Sequence, residues 1–266
     1  QNKVAAFKPI PRVYGTMRFF PPIPMTARPY TEVNGDDQYL RMFLCLGYGP
    51  LEIGGNTVGA GHSKITEKDA LSGTPLKIGE TDINQFDNVE YEIGTPDQMT
   101  LYSDQIIETN PGFQIGKEDY AVSAIRATEP DVDEISIDFS GRLYSIDGEG
   151  ITKYASITFK IEYREAGTND PWTLVDDIDQ NDPTDFVLFS PNGNKETVRG
   201  GHRWSVPKGQ YEVKITRIDT YFAGEEAEVL EISWSALRSI RSAKPFGVDG
   251  TVCMALRIKA TDQLNG

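Results

Sequence analysis

The stretch ITKYASITFKIEYR, Ile151–Arg164, decides the fold class. From Ile157 onward its side chains alternate. Ile157, Phe159, Ile161 and Tyr163 fall on one face, and Thr158, Lys160, Glu162 and Arg164 on the other. Successive residues of an extended strand point to opposite sides, so this pattern describes a strand with one dry and one wet face. The same alternation recurs on both sides of it. Tyr211, Val213, Ile215 and Arg217 alternate with Glu212, Lys214, Thr216 and Ile218. Ile135, Ile137 and Phe139 form an inward row upstream, and Val252, Met254, Leu256 and Ile258 form one near the end of the chain. No segment keeps the i, i+3, i+4, i+7 spacing of an amphipathic helix over three turns. Short helical turns are expected only near Thr66–Leu71 and Asp82–Phe86. With 25 glycines and 16 prolines punctuating the strands, the reading is an all-β protein of sandwich or barrel packing.

Three regions follow from composition. Residues 1–29 carry Pro9, Pro11, Pro21, Pro22, Pro24 and Pro29. Proline fixes φ and lacks a backbone donor, so this is an extended proline-rich arm, wrapped on its own domain or clasped to a neighbouring subunit. Within and just after the arm, Phe19, Phe20 and Tyr30 are the subunit-contact candidates, with core packing as the alternative for each. Residues 119–241 hold many strand candidates in a span that suits an immunoglobulin-like or fibronectin-like sandwich, with Trp172 and Trp204 as expected core anchors. Residues 30–118 plus 242–266 form a second, discontinuous β-domain into which that sandwich is inserted.

The chain has 266 residues and a formal charge of −14. An acidic surface repels phosphate backbones, so specific nucleic-acid binding is excluded as a general role. No apolar run approaches the length of a membrane-spanning helix, so no membrane insertion by this segment is expected. The chain opens on Gln1 and not on Met, which reads as a piece of a longer protein. Cys45 and Cys253 lie in apolar strand-like runs and read as two buried free thiols, with a disulfide as the alternative.

Sites of chemistry are scarce. GYGP at Gly47–Pro50 lacks the lysine and spacing of a phosphate loop and reads as a turn. His62 and His202 stand in GAGHS and RGGHR, with no second ligand at metal spacing. Asp177, Asp179 and Asn181 fall on the 1, 3, 5 spacing of a calcium loop. Asp182 stands where that loop needs glycine and Leu188 where it needs a bidentate glutamate, so a solvated acidic loop is the preferred reading and a weak calcium site the alternative. There is no G-x-S-x-G elbow. No catalytic residue, metal or cofactor is therefore expected, and the chain is read as not an enzyme. A glycan-binding sandwich would need a planar row of exposed aromatics. Tyr39, Tyr48, Tyr144, Tyr154 and Tyr221 are not spaced as one in sequence.

Several segments, in order, resemble one family. They are PIPRVYGTMRFFPPIPMTARPYTEVNGDDQYLRMFLCLGYGPLEI (Pro9–Ile53), KIGETDINQFDNVEYEI (Lys77–Ile93) and LYSDQIIETN (Leu101–Asn110). RATEPDVDEISIDFSGRLYSIDGEG (Arg126–Gly150), ITFKIEYREAG (Ile157–Gly167) and RWSVPKGQYEVKITRI (Arg203–Ile218) follow. SWSALRSI (Ser233–Ile240) and ALRIKATDQLNG (Ala255–Gly266) complete the set. Together they resemble the N-terminal hub region of the phage host-specificity protein J family, the tail-tip or central tail fibre proteins of lambda-like siphophages. The resemblance implies a structural protein of the virion tail tip, made in the bacterial host's cytoplasm. It implies a homotrimer in the virion, in contact with other tail-tip and tail-tube proteins. The implied work is tail assembly, tube closure and passing the signal for DNA ejection, as part of a longer host-recognition protein. On this view 30–118 plus 242–266 is the tail-hub β-domain. The alternative is a secreted or cell-surface β-sandwich binding module for a carbohydrate or protein ligand.

Overall fold

The computed structural model describes residues 4–5, 9–34, 37–66, 71–73, 75–115, 123–176, 186–190, 193 and 195–260. Among them there is no α-helix. The longer strands are β1 (Tyr30–Asn34), β2 (Asp37–Tyr48), β3 (Val89–Gly94), β4 (Gln105–Thr109), β5 (Ser123–Ala127) and β6 (Val132–Ile146). They continue with β7 (Ala155–Glu165), β8 (Phe186–Ser190), β9 (Val198–Gly209), β10 (Tyr211–Phe222), β11 (Ala227–Arg241) and β12 (Thr251–Lys259). The protein is all-β, as the alternation predicts. It divides into two compact units: residues 1–32, 37–107 and 242–266 form the first, and residues 33–36 and 108–241 the second.

The second unit is a sandwich of two sheets. One runs β4-β11-β6 and ends on the short strand Thr152–Lys153, with β9 also pairing β6. The other runs β5-β10-β7 and ends on the short strand Thr173–Leu174, with β8 also pairing β7. The inward rows meet between them. Ile135, Ile137, Phe139 and Leu143 of β6 and Ile157, Phe159 and Ile161 of β7 are all buried. Phe139 and Phe159, from opposite sheets, bring their ring centroids to 4.4 Å.

The core tryptophan is neither of the two expected. Trp234 is fully buried, whereas Trp204 only flanks the core and Trp172 lies partly exposed on the outer face. A bulge explains why. Between Asp138 and Phe139 the register on β11 jumps from Ala236 to Trp234, so Ser235 is the extra residue. Strand alternation therefore changes phase there. Leu230, Ile232 and Trp234 point inward before the bulge and Leu237 after it, while Arg238 turns to the opposite face. The Trp234 indole donates to the Ala236 carbonyl at 2.8 Å, which satisfies its only polar atom. Close approach of the two long strands is also required at Gly141, where a Cβ would stand 1.8 Å from the Glu231 carbonyl oxygen.

The first unit is a four-stranded sheet in the order β1-β2-β12-β3. β12 sits in its middle, antiparallel to both neighbours. The expected inward row of Val252, Met254, Leu256 and Ile258 is buried, but so are Cys253 and Ala255 between them. This strand is dry on both sides, a correction to the one-faced reading. Its second face is covered by side chains from outside the sheet's middle. Tyr102 packs edge-on against Tyr30 at 5.3 Å and Phe43 at 5.6 Å, and its hydroxyl donates to the Arg28 carbonyl at 2.6 Å. The helical turn expected near Asp82–Phe86 is a single 3-10 turn, Ile83–Gln85, with the Asp82 side chain accepting from the Asn84 amide. Residues 67–70, at the other expected turn, lie outside the described residues.

Candidate assembly surfaces

The arm is laid along its own unit. The Pro22 carbonyl accepts from the Cys45 amide at 3.0 Å, and the Pro11 carbonyl accepts from the Tyr48 amide at 3.0 Å. Gly47 makes the second contact possible: its φ is +134°, and a Cβ there would meet the Pro11 oxygen at 2.6 Å. Prolines suit this arrangement because carbonyls alone are needed to cap the strand. Ile23 and Ala27 are buried. Of the three contact candidates, Tyr30 is taken up by Tyr102 inside its own unit, Phe19 is half-buried, and Phe20 is 63% exposed. Tyr14, Met17 and Met25 are exposed along with Phe20, so the arm presents a row of large apolar side chains outward.

GYGP is the turn after β2. His62 lines a shallow polar depression with Asn56, Thr57 and Lys64. His202 meets Phe186 edge-on at 4.7 Å and stacks on Trp204 at 6.0 Å. Among the described residues no group of three His, Cys, Asp or Glu could hold a metal. Asp177, Asp179 and Asn181 lie outside the described residues. Cys45 and Cys253 are free, buried and directly opposite each other on β2 and β12. The hydrogen bond between them, together with burial, pushes the Cys253 thiol up, and the same bond moves the Cys45 thiol down; both are buried, so neither is a nucleophile at the surface.

Two buried polar clusters were not read from the sequence. In the first unit Glu92 is buried yet charged. It accepts from Lys64 Nζ at 2.8 Å, from the Thr100 hydroxyl, and from the Thr100 and Leu101 amides at 2.7 and 3.0 Å. Burial pushes its carboxyl up, but these donors outweigh that and hold it below the usual carboxylate range. In the second unit Arg238 is fully buried. It donates to both Asp138 oxygens, to Glu108 at 2.8 Å and to the Ser136 hydroxyl at 3.2 Å. The bulge at Ser235 is what places Arg238 beside Ser136 and Asp138 and not in the sandwich core. This buried network ties β11 to β6 and β4.

The wet face of β7 and β10 is an ordered charge lattice. Arg164 pairs Glu212 at 2.8 Å and Lys214 pairs Glu162 at 2.7 Å. Trp172 lies over this quartet, with Arg164 and Lys214 each 4.4 Å from its ring centroid. At the far end of the same face the register does what spacing in sequence concealed. Phe189 of β8 and Tyr221 of β10 both stand opposite Ser156 of β7, and Tyr154 joins them. The Tyr154 ring lies 6.5 Å from Phe189 and 5.9 Å from Tyr221.

A two-sheet sandwich on this connectivity is matched by one family model. Residues 105–243 match the FNIII-A domain of tip attachment protein J. The chain belongs to the tip attachment protein J family. The match spans the whole second unit except residues 33–36. No curated protein matches the chain. The protein J family is one of structural phage tail proteins, so this chain is a component of the phage tail, working among other tail proteins.

Proposed function

We propose that this chain is a structural segment of the virion's tail tip, acting in tail assembly, in closing the tail tube and in passing the signal for DNA ejection. It does so as part of a longer, trimeric host-recognition protein and performs no catalysis. The observation that carries this reading is the protein J match over 105–243. Two features support it. Sheets tied by buried ion pairs resist deformation, as a part that transmits force must. The arm turns Tyr14, Met17, Phe20 and Met25 outward in a way that suits burial against another subunit. In this reading 30–118 plus 242–266 is the hub domain, 119–241 is the inserted sandwich, and residues 1–29 are the clasp.

Antibody against this chain tests the proposal on density-banded particles by immunoblot and immunogold electron microscopy. Gold at the tail tip is the expected result. Antigen confined to the particle-free fraction, or gold along the tail shaft, would overturn it. The clasp has its own test. Phage carrying Tyr14→Ser with Phe20→Ser should yield fewer complete tails than wild type, because both side chains are exposed and their loss leaves the unit's core intact. Equal tail yield would remove the clasp and leave the tail-tip role standing.

A further inference from the structure

The outer face of the five-stranded sheet carries more than it needs for folding. Among the described residues, every exposed large apolar side chain of the second unit except Ile151 lies on this sheet or directly beside it. They concentrate at one end. Tyr154 is 36%, Phe189 51% and Tyr221 56% exposed. Scattered single apolar residues on a surface need no explanation, but two aromatic rings on the strands that flank β7, each in contact with the Tyr154 ring between them, form a patch. The inward faces of the same strands are fully supplied by Ile157, Phe159, Phe186 and Leu188, so the outward rings contribute nothing to the core.

The surroundings say what such a patch would take. Asp219 shares the face of Tyr221 two residues on, and its side chain caps the Thr220 amide at 2.8 Å. The turn that follows β10 carries exposed Glu225 and Glu226 and is held against Tyr154, whose carbonyl accepts from the Ala223 amide at 2.9 Å. Asp147 and Glu149 come from the neighbouring turn, and the basic Lys153 there is already paired to Asp147 at 2.9 Å. The rim is therefore acidic around an aromatic centre. Aromatic faces attract cations, and this chain uses them so elsewhere. Trp172 holds Arg164 and Lys214 on this very sheet, and Tyr48 holds Arg12 at 5.2 Å. Among the described residues no cation covers Tyr154, Phe189 or Tyr221.

We infer that the Tyr154–Phe189–Tyr221 cluster, with its carboxylate rim, is a docking surface for a basic segment of a protein partner, one presenting lysine or arginine beside apolar side chains. Charge complementarity selects this occupant. A second copy of the chain would bring a net charge of −14 against the acidic rim. A flat glycan would need coplanar rings, whereas Tyr154 is tilted 33° from Phe189 and 50° from Tyr221. Tilted rings make a shallow cup that suits a guanidinium or an alkyl stem. The inference stands on this face alone and does not depend on the tail-tip role.

The full 266-residue chain tests it by fluorescence anisotropy at physiological salt. The probes are a fluorescein-labelled peptide of three Lys-Leu-Arg repeats, the same peptide with glutamate at every basic position, and cellohexaose as an unlabelled competitor. The expected result is saturable binding of the basic peptide only. Affinity should fall by about tenfold or more in the double variant Phe189→Ser, Tyr221→Ser, the scale set by losing two partly desolvated cation–π contacts. A fall of about threefold is expected in Asp219→Asn, Glu225→Gln, the scale of rim charges. All four positions are exposed, so unchanged thermal melting and unchanged near-ultraviolet circular dichroism from buried Trp234 certify the fold. Equal affinity in the aromatic double variant and wild type would overturn the inference, since general acidity would then account for binding. So would displacement of the basic peptide by cellohexaose, which would assign the cup to a glycan, or no saturable binding of the basic peptide up to about 1 mM, an interaction worth only about 4 kcal/mol.

Discussion

In the sandwich, β6 finds β9 and β11 within the single stretch 108–241. In the first unit, the middle strand β12 comes from the end of the described chain and lies between β2 and β3, which come from its first hundred residues. The strands β7 and β10 of the sandwich keep one wet face, so they alternate. β12 is dry on both faces, so it reads as a run of apolar and small residues. The two units also neutralise buried charge differently. Glu92 is satisfied by four donors drawn from Lys64 and the Thr100–Leu101 segment, whereas Arg238 meets carboxylates on two other strands. The first arrangement pins a loop to a strand. The second locks strands to one another. Connectivity thus decides how much of a fold a local change can damage.

Removing β12 gives the sharpest break between the units. A chain ending after Gly250 loses the strand to which both β2 and β3 are paired, and with it the order of the first unit's sheet. Amide exchange should lose protection at 40–47 and 89–94 while 132–146 and 155–165 stay protected. Loss of protection throughout would show that the sandwich does not fold independently of the first unit.

The buried pair ranks next. Asp138→Ala leaves the Arg238 guanidinium without its bidentate partner and should cost about 3–5 kcal/mol, the usual penalty for an uncompensated buried charge. Denaturant unfolding followed by Trp234 fluorescence reports it, because Trp234 lies in the same unit. A cost below about 1 kcal/mol would mean that Glu108 and Ser136 alone satisfy the guanidinium.

Glu92 makes the first unit acid-sensitive. Its folded-state pKa is depressed, so its contribution is fully present above the unfolded carboxylate value of about 4.3 and is lost as pH falls through the lower folded value. Exchange protection of β3 should therefore drop on acidification over that range. Glu92→Gln should flatten the drop and cost about 1–3 kcal/mol at neutral pH, the scale of a buried charged hydrogen-bond acceptor lost. An unaltered acid profile in that variant would assign the sensitivity to other carboxylates.

The smallest effect is expected at Trp172. Trp172→Ala removes two half-buried cation–π contacts and should cost about 1 kcal/mol, with Arg164–Glu212 and Lys214–Glu162 still paired. A loss of several kcal/mol would give Trp172 the core role that Trp234 holds in the structure.

The outward fit between sequence and fold follows the same division. Rows such as Ile157, Phe159 and Ile161 were legible because a strand's period of two is a local property. The two-faced burial of β12 was not, because it depends on Tyr102 and Phe43 arriving from elsewhere. Trp234 was hidden by the bulge at Ser235. Read straight through, S-W-S-A-L-R-S-I groups Trp234 with Ala236 and Arg238, and only the phase change separates the core tryptophan from the buried arginine. On the assembly surfaces, the arm's prolines announced extension, but which of Phe19, Phe20 and Tyr30 faced outward depended on the packing around each.

The aromatic cup shows the limit most plainly. Tyr154, Phe189 and Tyr221 are far apart along the chain, with no common spacing. They meet because β8 and β10 both align on Ser156 of β7. Alternation, proline content and the order of segments along the chain determined the all-β class, the extended arm and the likeness to protein J, because each is written in consecutive residues. Strand register, the Ser235 bulge and the burial of Arg238 and Glu92 were decided by tertiary structure alone, because a β-sheet joins residues by hydrogen bonds between segments whose separation in sequence carries no record of which will be neighbours.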